Sequence, residues 1–222
     1  MTTAAFDATR TREWMRRFAD SVYATEAELT ELDQRAGDGD FGTNLATGVR
    51  TAGLRLDRTD ESAGPAEILG AMGTAFLDEI GGTSGPLFGL LFQALSRAAA
   101  DSGPHLTTAA LAEGAAQGLA AIRRVGDASP GDKTLIDALH PAAAALRAAG
   151  NAPPATALAA AADGAWRGVR DTASLSARMG RASYLGERAT GIPDPGAVGI
   201  ALLFASAAGV VPALGPDLRP TG

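Results

Sequence analysis

The 222-residue chain carries 25 acidic and 19 basic side chains, a formal net charge of −6, and is 46% hydrophobic but only 5% aromatic. The negative balance excludes a nucleic-acid surface, which needs clustered Lys and Arg against phosphates. The absence of cysteine excludes a disulfide framework or a thiolate metal site. The N-terminal MTTAAFDATRTREWMRRFAD is charged throughout and no apolar run is long enough for a bilayer, so the cytoplasm is the expected compartment and no membrane partner is expected. The length suits one domain over residues 1–222.

Met15, Phe18, Ala19, Val22 and Tyr23 recur at three- and four-residue steps and predict an amphipathic helix from Asp7 to about Tyr23. A second, shorter helix is predicted over Glu26 to Leu32, before a glycine-rich turn. The next begins near Thr43, with Leu45, Val49, Ala52 and Leu56 on one side. Pro65 suits a first helical turn and opens a stripe of Leu69, Met72, Phe76 and Ile80 that stops at Gly81-Gly82. Pro86 opens another helix, and Thr107 or Thr108 caps the following run to about Arg124. Three more are predicted over Asp132 to Ala149, Ala155 to Arg178, and Pro195 to Val211. No alternating strand pattern and no fixed-period repeat intervenes, so the fold class is all-α: a bundle or barrel of about eight antiparallel helices.

The polar residues gather in the loops, where chemistry is commonest. Asp33, Asp38 and Asp40 stand at offsets of zero, five and seven, with Gly37, Gly39 and Gly42 to let the backbone curl. Three carboxylates that close repel unless a cation joins them, and magnesium takes hard oxygen ligands. The same pattern also describes a solvated acidic turn with Asp40 or Thr43 as a helix cap, and spacing leaves both readings open. Gly81-Gly82-Thr83-Ser84-Gly85, before a helix, offers either a phosphate cradle or an ordinary turn. Gly131-Asp132-Lys133-Thr134-Leu135 holds the only lysine among nineteen basic residues. It is not a P-loop, because an Asp separates the Gly from the Lys and a helix precedes it. Helix capping for Asp132 and a surface charge for Lys133 are the plainer readings. Arg181 and Arg188 could hold anionic oxygens or pair with surface carboxylates, and Asp194-Pro195 could start the last helix. His105 and His140 have no partner at ligand spacing, and Trp14 and Trp166 read as core.

Taken in order, LDQRAGDGDFGTN, GGTSGPLFG, GDKTLIDALHP and MGRASYLGERATGIPDPGA resemble the nucleotide-binding L subunit of dihydroxyacetone kinases, from about Leu32 to Ala197. The resemblance implies an all-helical barrel of eight helices with ADP or ATP at one end. It implies that Asp33, Asp38 and Asp40 hold two Mg2+ ions against the phosphates. It places Asn44, Thr83 and Ser84 around the nucleotide and its phosphates. Leu45, Leu87, Thr134 and Leu135 fall near the nucleotide or adenine pocket, with Arg181 and Asp194 at its rim. The implied activity is donation of a γ-phosphoryl group to dihydroxyacetone or a related short sugar held by a separate K subunit, with no catalytic base assigned to this chain. Other implied partners are a phosphotransferase-system M subunit, where the donor is a protein, and a second copy of the chain. One departure stands out: Phe41 replaces a histidine common after the last Asp, which removes a hydrogen-bonding group near the phosphates and is expected to alter donor handling or substrate. A nucleotide-sensing module docking on a transcription regulator, or a biosynthetic or phosphatase-like enzyme, would keep the same Asp cluster.

Overall fold

The computed structural model describes residues 5–78, 84–179, 183 and 189–218. Among them eight helices follow one another: α1 (Ala8–Ala36), α2 (Phe41–Asp57), α3 (Pro65–Asp78), α4 (Ser84–Ala100), α5 (Thr108–Gly126), α6 (Ile136–Ala148), α7 (Pro154–Thr172) and α8 (Pro195–Ala205). No strand occurs among the described residues. Each helix packs along its successor and α8 returns to α1, closing an all-α barrel. Because successive neighbours reverse direction, the α1–α2, α3–α4, α5–α6 and α7–α8 connections share one end. The other three connections share the opposite end.

The break expected between Tyr23 and Glu26 does not exist; α1 runs through it for 29 residues. No Gly or Pro interrupts that stretch, and buried Val22, Thr25, Leu29, Leu32 and Ala36 continue the helical stripe. The Ser21 and Thr25 hydroxyls donate back to the carbonyls of Arg17 and Ser21, both at 2.8 Å, so both polar residues enter the core satisfied. Tyr23 is rotated off this stripe and is 47% exposed, contrary to its predicted place on the apolar face.

Three other boundaries shift for local reasons. The sixth helix starts at Ile136 rather than Asp132, because Gly131 and Lys133 adopt φ of 97° and 62°, outside any right-handed helix. The seventh stops at Thr172 rather than Arg178, and Lys133 takes up the Thr172 carbonyl there. The last ends at Ala205 rather than Val211, whose N–H donates instead to Ser21 Oγ across α1.

Phenylalanines from α1, α3 and α4 meet in the interior, with Phe76 centred 5.8 Å from Phe88 and 5.5 Å from Phe92. Trp14 and Trp166 are core residues, as expected, and Trp14 Nε1 donates to the Leu203 carbonyl. Every residue from Pro195 to Phe204 of α8 is buried, which fits a helix that is apolar all round. No helix among the described residues is long and apolar enough to cross a membrane.

Candidate functional site

Asp33 sits in the last turn of α1, where its carboxylate turns under the following loop and accepts the Phe41 N–H at 3.0 Å. That bond ties the end of α1 to the start of α2. Asp38 and Asp40 lie on the loop between, and the three carboxylates present oxygens within 4.8 Å of one another, Asp33 buried and the other two exposed. Asp40 occupies the N-cap of α2 yet makes no side-chain capping bond, so the capping reading of it does not hold. Burial pushes the Asp33 carboxyl above its ordinary range; the Phe41 N–H opposes this, while the charges of Asp38 and Asp40 add to it.

The three glycines of this turn serve different ends. Gly39 alone has a positive φ, 82°, which a side chain would resist. A Cβ at Gly37 would strike the Asp33 carboxylate, and one at Gly42 would lie 2.5 Å from the Glu26 carbonyl oxygen while striking Thr30 Oγ1. Gly42 thus lets α2 start against the side of α1.

The carboxylates border a cleft of ≈ 310 Å³ lined by residues from the α1–α2, α5–α6 and α7–α8 junctions and from the start of α4. The α1–α2 turn supplies Asp33, Asp38, Asp40 and Phe41, and the start of α4 supplies Ser84 and Leu87. The α5–α6 side adds Ile122, Lys133, Thr134, Leu135 and Ile136; the α7–α8 side adds Met179, Asp194 and Gly196. One rim is therefore acidic and much of the remaining wall apolar.

The α5–α6 loop is wound around Asp137, which sequence reading overlooked. Its carboxylate accepts the N–H groups of Gly131 at 2.5 Å and Thr134 at 2.8 Å, and Thr134 Oγ1 accepts from Ile136 N. Thr134 and Leu135 owe their place in the cleft wall to this turn. Asp132 is not a helix cap: it accepts the Ser129 N–H at 2.7 Å and pairs with Arg178 at 3.5 Å. Lys133 is 1% exposed rather than a surface charge, and its Nζ donates to the carbonyls of Thr172 at 2.6 Å and Ile192 at 2.7 Å.

Asp194 does start the last helix, accepting the Ala197 N–H at 2.7 Å, while its own N–H donates to Thr172 Oγ1 at 2.9 Å. Half-buried along the cleft, its carboxyl is pushed up to about 7, foremost by desolvation. The Ala197 N–H and Lys133 oppose that rise, and Asp137 and Asp33 add to it.

Of the residues singled out from sequence, Asp33, Asp38, Asp40, Ser84, Leu87, Thr134, Leu135 and Asp194 come together around this cleft. Asn44 is half-buried within the first turn of α2, its N–H bonded to the Asp40 carbonyl, and Leu45 is buried in the core. Neither lines the cleft. Thr83 and Arg181 lie outside the described residues. Phe41 borders the cleft but is only 6% exposed, and its ring lies with Phe88 over Gly199. Sequence reading missed Met179 and Ile122, whose only signal was an apolar residue beside a loop.

The chain matches the model of the DAK2 domain over residues 35–209. It is 40% identical over 180 residues to the L-erythrulose 1-kinase of Mycolicibacterium smegmatis, covering 81% of this chain and 31% of that one. It is 36% identical over 195 residues to the ADP-binding subunit DhaL of the PEP-dependent dihydroxyacetone kinase of Escherichia coli, covering 86% and 91% respectively. The chain thus spans about a third of the erythrulose kinases it matches and nearly all of DhaL. Its fold matches the crystal structure of the dihydroxyacetone kinase of C. freundii in complex with AMP-PNP and Mg2+, with a TM-score of 0.66 and 29% identity over 93% of this chain and 34% of that one. With its family model matched over most of its length and a barrel of the same fold, the chain belongs to the DAK2-domain family.

Proposed function

We propose that this chain is the nucleotide-holding, phosphoryl-donating part of a kinase for dihydroxyacetone or a related short ketose. The observation that carries this reading is the convergence of Asp33, Asp38 and Asp40 within 4.8 Å at a cleft whose remaining lining is mostly apolar. An acidic rim suits a cation and phosphates, and an apolar wall suits a base. The names of the relatives, an erythrulose kinase and an ADP-binding subunit, support the same class.

The residues present fit magnesium. They offer hard carboxylate oxygens, and the neighbouring charges that raise the Asp33 pKa are a repulsion that a divalent cation relieves. Asp33, Asp38 and Asp40 would hold two Mg2+ ions against the phosphates of ADP or ATP. When bound, these ions supply neutralisation of charge on the phosphoryl oxygens during transfer.

The chain's own residues bind and orient. Ser84 opens α4, so its hydroxyl and the leading N–H groups of that helix end suit the phosphates, with Thr83 beside it in sequence. Leu87, Ile122, Leu135 and Met179 form an apolar wall for the base. Asp194 and Arg181 are assigned to the rim, and Asn44 and Leu45 support the start of α2 behind the carboxylates. Transfer needs alignment more than a base in this chain. The ketone would sit on a separate K subunit.

Calorimetric titration with ADP and ATP, with and without Mg2+, tests the reading. Magnesium-dependent binding of either nucleotide is the expected result, and no binding with Mg2+ present would overturn it. ADP retained through purification would mark a phosphotransferase protein as donor, whereas ready exchange would mark free ATP.

A further inference from the structure

Lys133 is unusual in three independent ways. It is the only lysine in a chain of eighteen arginines, it is 1% exposed, and it adopts a left-handed φ of 62° that a non-glycine residue resists. Its ammonium makes no ion pair closer than 4 Å among the described residues. It reaches instead the carbonyls of Thr172 and Ile192, which lie 39 and 59 residues further along the chain. Thr172 is the last residue of α7, where carbonyls lack helical partners, and Ile192 lies just before the cap of α8. The two stems of the α7–α8 connection also meet each other, Gly191 N donating to the Ala173 carbonyl at 2.7 Å. The outgoing stem is fastened a second time beside Lys133, where Arg178 N donates to the Asp132 carbonyl at 3.2 Å.

We infer that Lys133 is a positioning residue whose ammonium fastens both stems of the α7–α8 connection to the α5–α6 loop and so sets the spacing of the cleft walls. Those walls carry Leu135 on one side and Met179 and Asp194 on the other. Burial holds the Lys133 pKa down, and Asp194 and Asp137 act against that. Removing the ammonium takes a buried donor from the Ile192 carbonyl and from the Thr172 carbonyl, which keeps the Leu175 N–H at 3.2 Å, and removes the positive charge that Asp194 and Asp137 feel. An arginine would keep the charge, but its planar fork is poorly shaped for two carbonyls converging from separate segments.

The effect on affinity rests on the nucleotide reading above, whereas the tie itself can be tested without it. Hydrogen exchange of Lys133→Met against wild type is expected to rise about tenfold or more in residues 173–179 and 189–196, with α3 and α4 unchanged. A uniform rise, or none, would overturn the inference, since an ordinary core residue loosens the whole barrel. In the same variant the ADP affinity, measured with Mg2+, is expected to fall about tenfold or more while Mn2+ binding without nucleotide stays within about twofold. Restoration of ADP affinity by Lys133→Arg would mean that charge alone matters, which also overturns it. Should Lys133→Met fail to fold, the wild-type protein decides. Acylation of Lys133 by an amine reagent, read by peptide mapping, is expected to run about 100-fold slower than in the urea-unfolded chain. A rate like that of a surface lysine would sink the tie. A wild-type protein that binds no ADP would instead sink the nucleotide reading and leave the exchange and acylation results to stand.

Discussion

At the end of the barrel formed by the α2–α3, α4–α5 and α6–α7 connections, several carboxylates and hydroxyls are satisfied within three residues, while Arg12 and Thr108 reach distant carbonyls. Asp60 accepts from the Ser62 N–H and hydroxyl, Glu67 accepts from Gly64 N, and Thr107 caps α5 through Ala110 N. The Asp60 carboxyl is accordingly held below its ordinary range by its bonds to Ser62. At the opposite end Asp33 and Asp194 are both pushed upward, foremost by burial, and each also feels other carboxylates, Asp38 and Asp40 in the first case and Asp137 and Asp33 in the second. Loops of similar composition thus do two jobs. A carboxylate that finds its donors within three residues and away from other carboxylates is a structural fitting, and one buried near others of its kind is suited to a ligand.

The sharpest way to break this contrast is Asp38→Ala. It should lower magnesium-dependent nucleotide affinity about 100-fold or more, with no loss of thermal stability, because the cluster repels itself without a cation. Unchanged affinity by calorimetry would remove the distinction between the two ends. Next in size, Gly42→Ala brings a Cβ against the Glu26 carbonyl and Thr30, and should cost about 1–3 kcal/mol of stability in urea denaturation. Because Asp40 and Phe41 adjoin Gly42, Mn2+ affinity should fall with it; unaltered metal binding would show that the turn is not braced by α1.

A smaller effect separates the carboxyls by pH. Asp194 has a folded pKa raised from 3.8 to about 7, so the unfolded chain ionises it more readily, and stability falls as pH climbs through that window. Asp33 is shifted in the same direction and contributes to the same slope. Asp194→Asn keeps a side-chain cap for α8 while removing one share of this dependence, so the fall in Tm between those pH values, without metal or nucleotide, should shrink. An identical slope in the variant would contradict the assignment. Smallest of the four, Thr107→Ala at the far end should cost about 1 kcal/mol and leave nucleotide titrations unaltered.

Much of this contrast was legible beforehand. Apolar stripes at helical spacing, separated by clusters of Gly, Pro and Asp, marked every helix, though α1 as two pieces, and the loops where carboxylates and hydroxyls gather. The Asp trio and Asp194 could be named because glycine and proline mark their turns. Lys133 could not be read in this way, since its burial depends on carbonyls 39 and 59 residues away and nothing adjacent announces them. Asp137 was hidden for a related reason: in sequence it is an acidic residue in a first helical turn, and only the folded loop brings Gly131 N and Thr134 N onto it. The unbroken α1 was missed because local polarity at Ser21 and Thr25 hides a buried face that two hydroxyl-to-carbonyl bonds make tolerable. Phe41 shows the same limit, because its packing over Gly199 depends on an encounter between distant segments.

The unbroken burial of α8 carries a cost for a chain still being made. A segment with no water-facing side is at home only after the preceding seven helices have gathered around its place, so on the ribosome those seven form a trough with its greasy floor exposed. Nascent chains halted before Pro195 should therefore be strong clients for chaperones that shield apolar surface, and release from them should coincide with the emergence of Phe204.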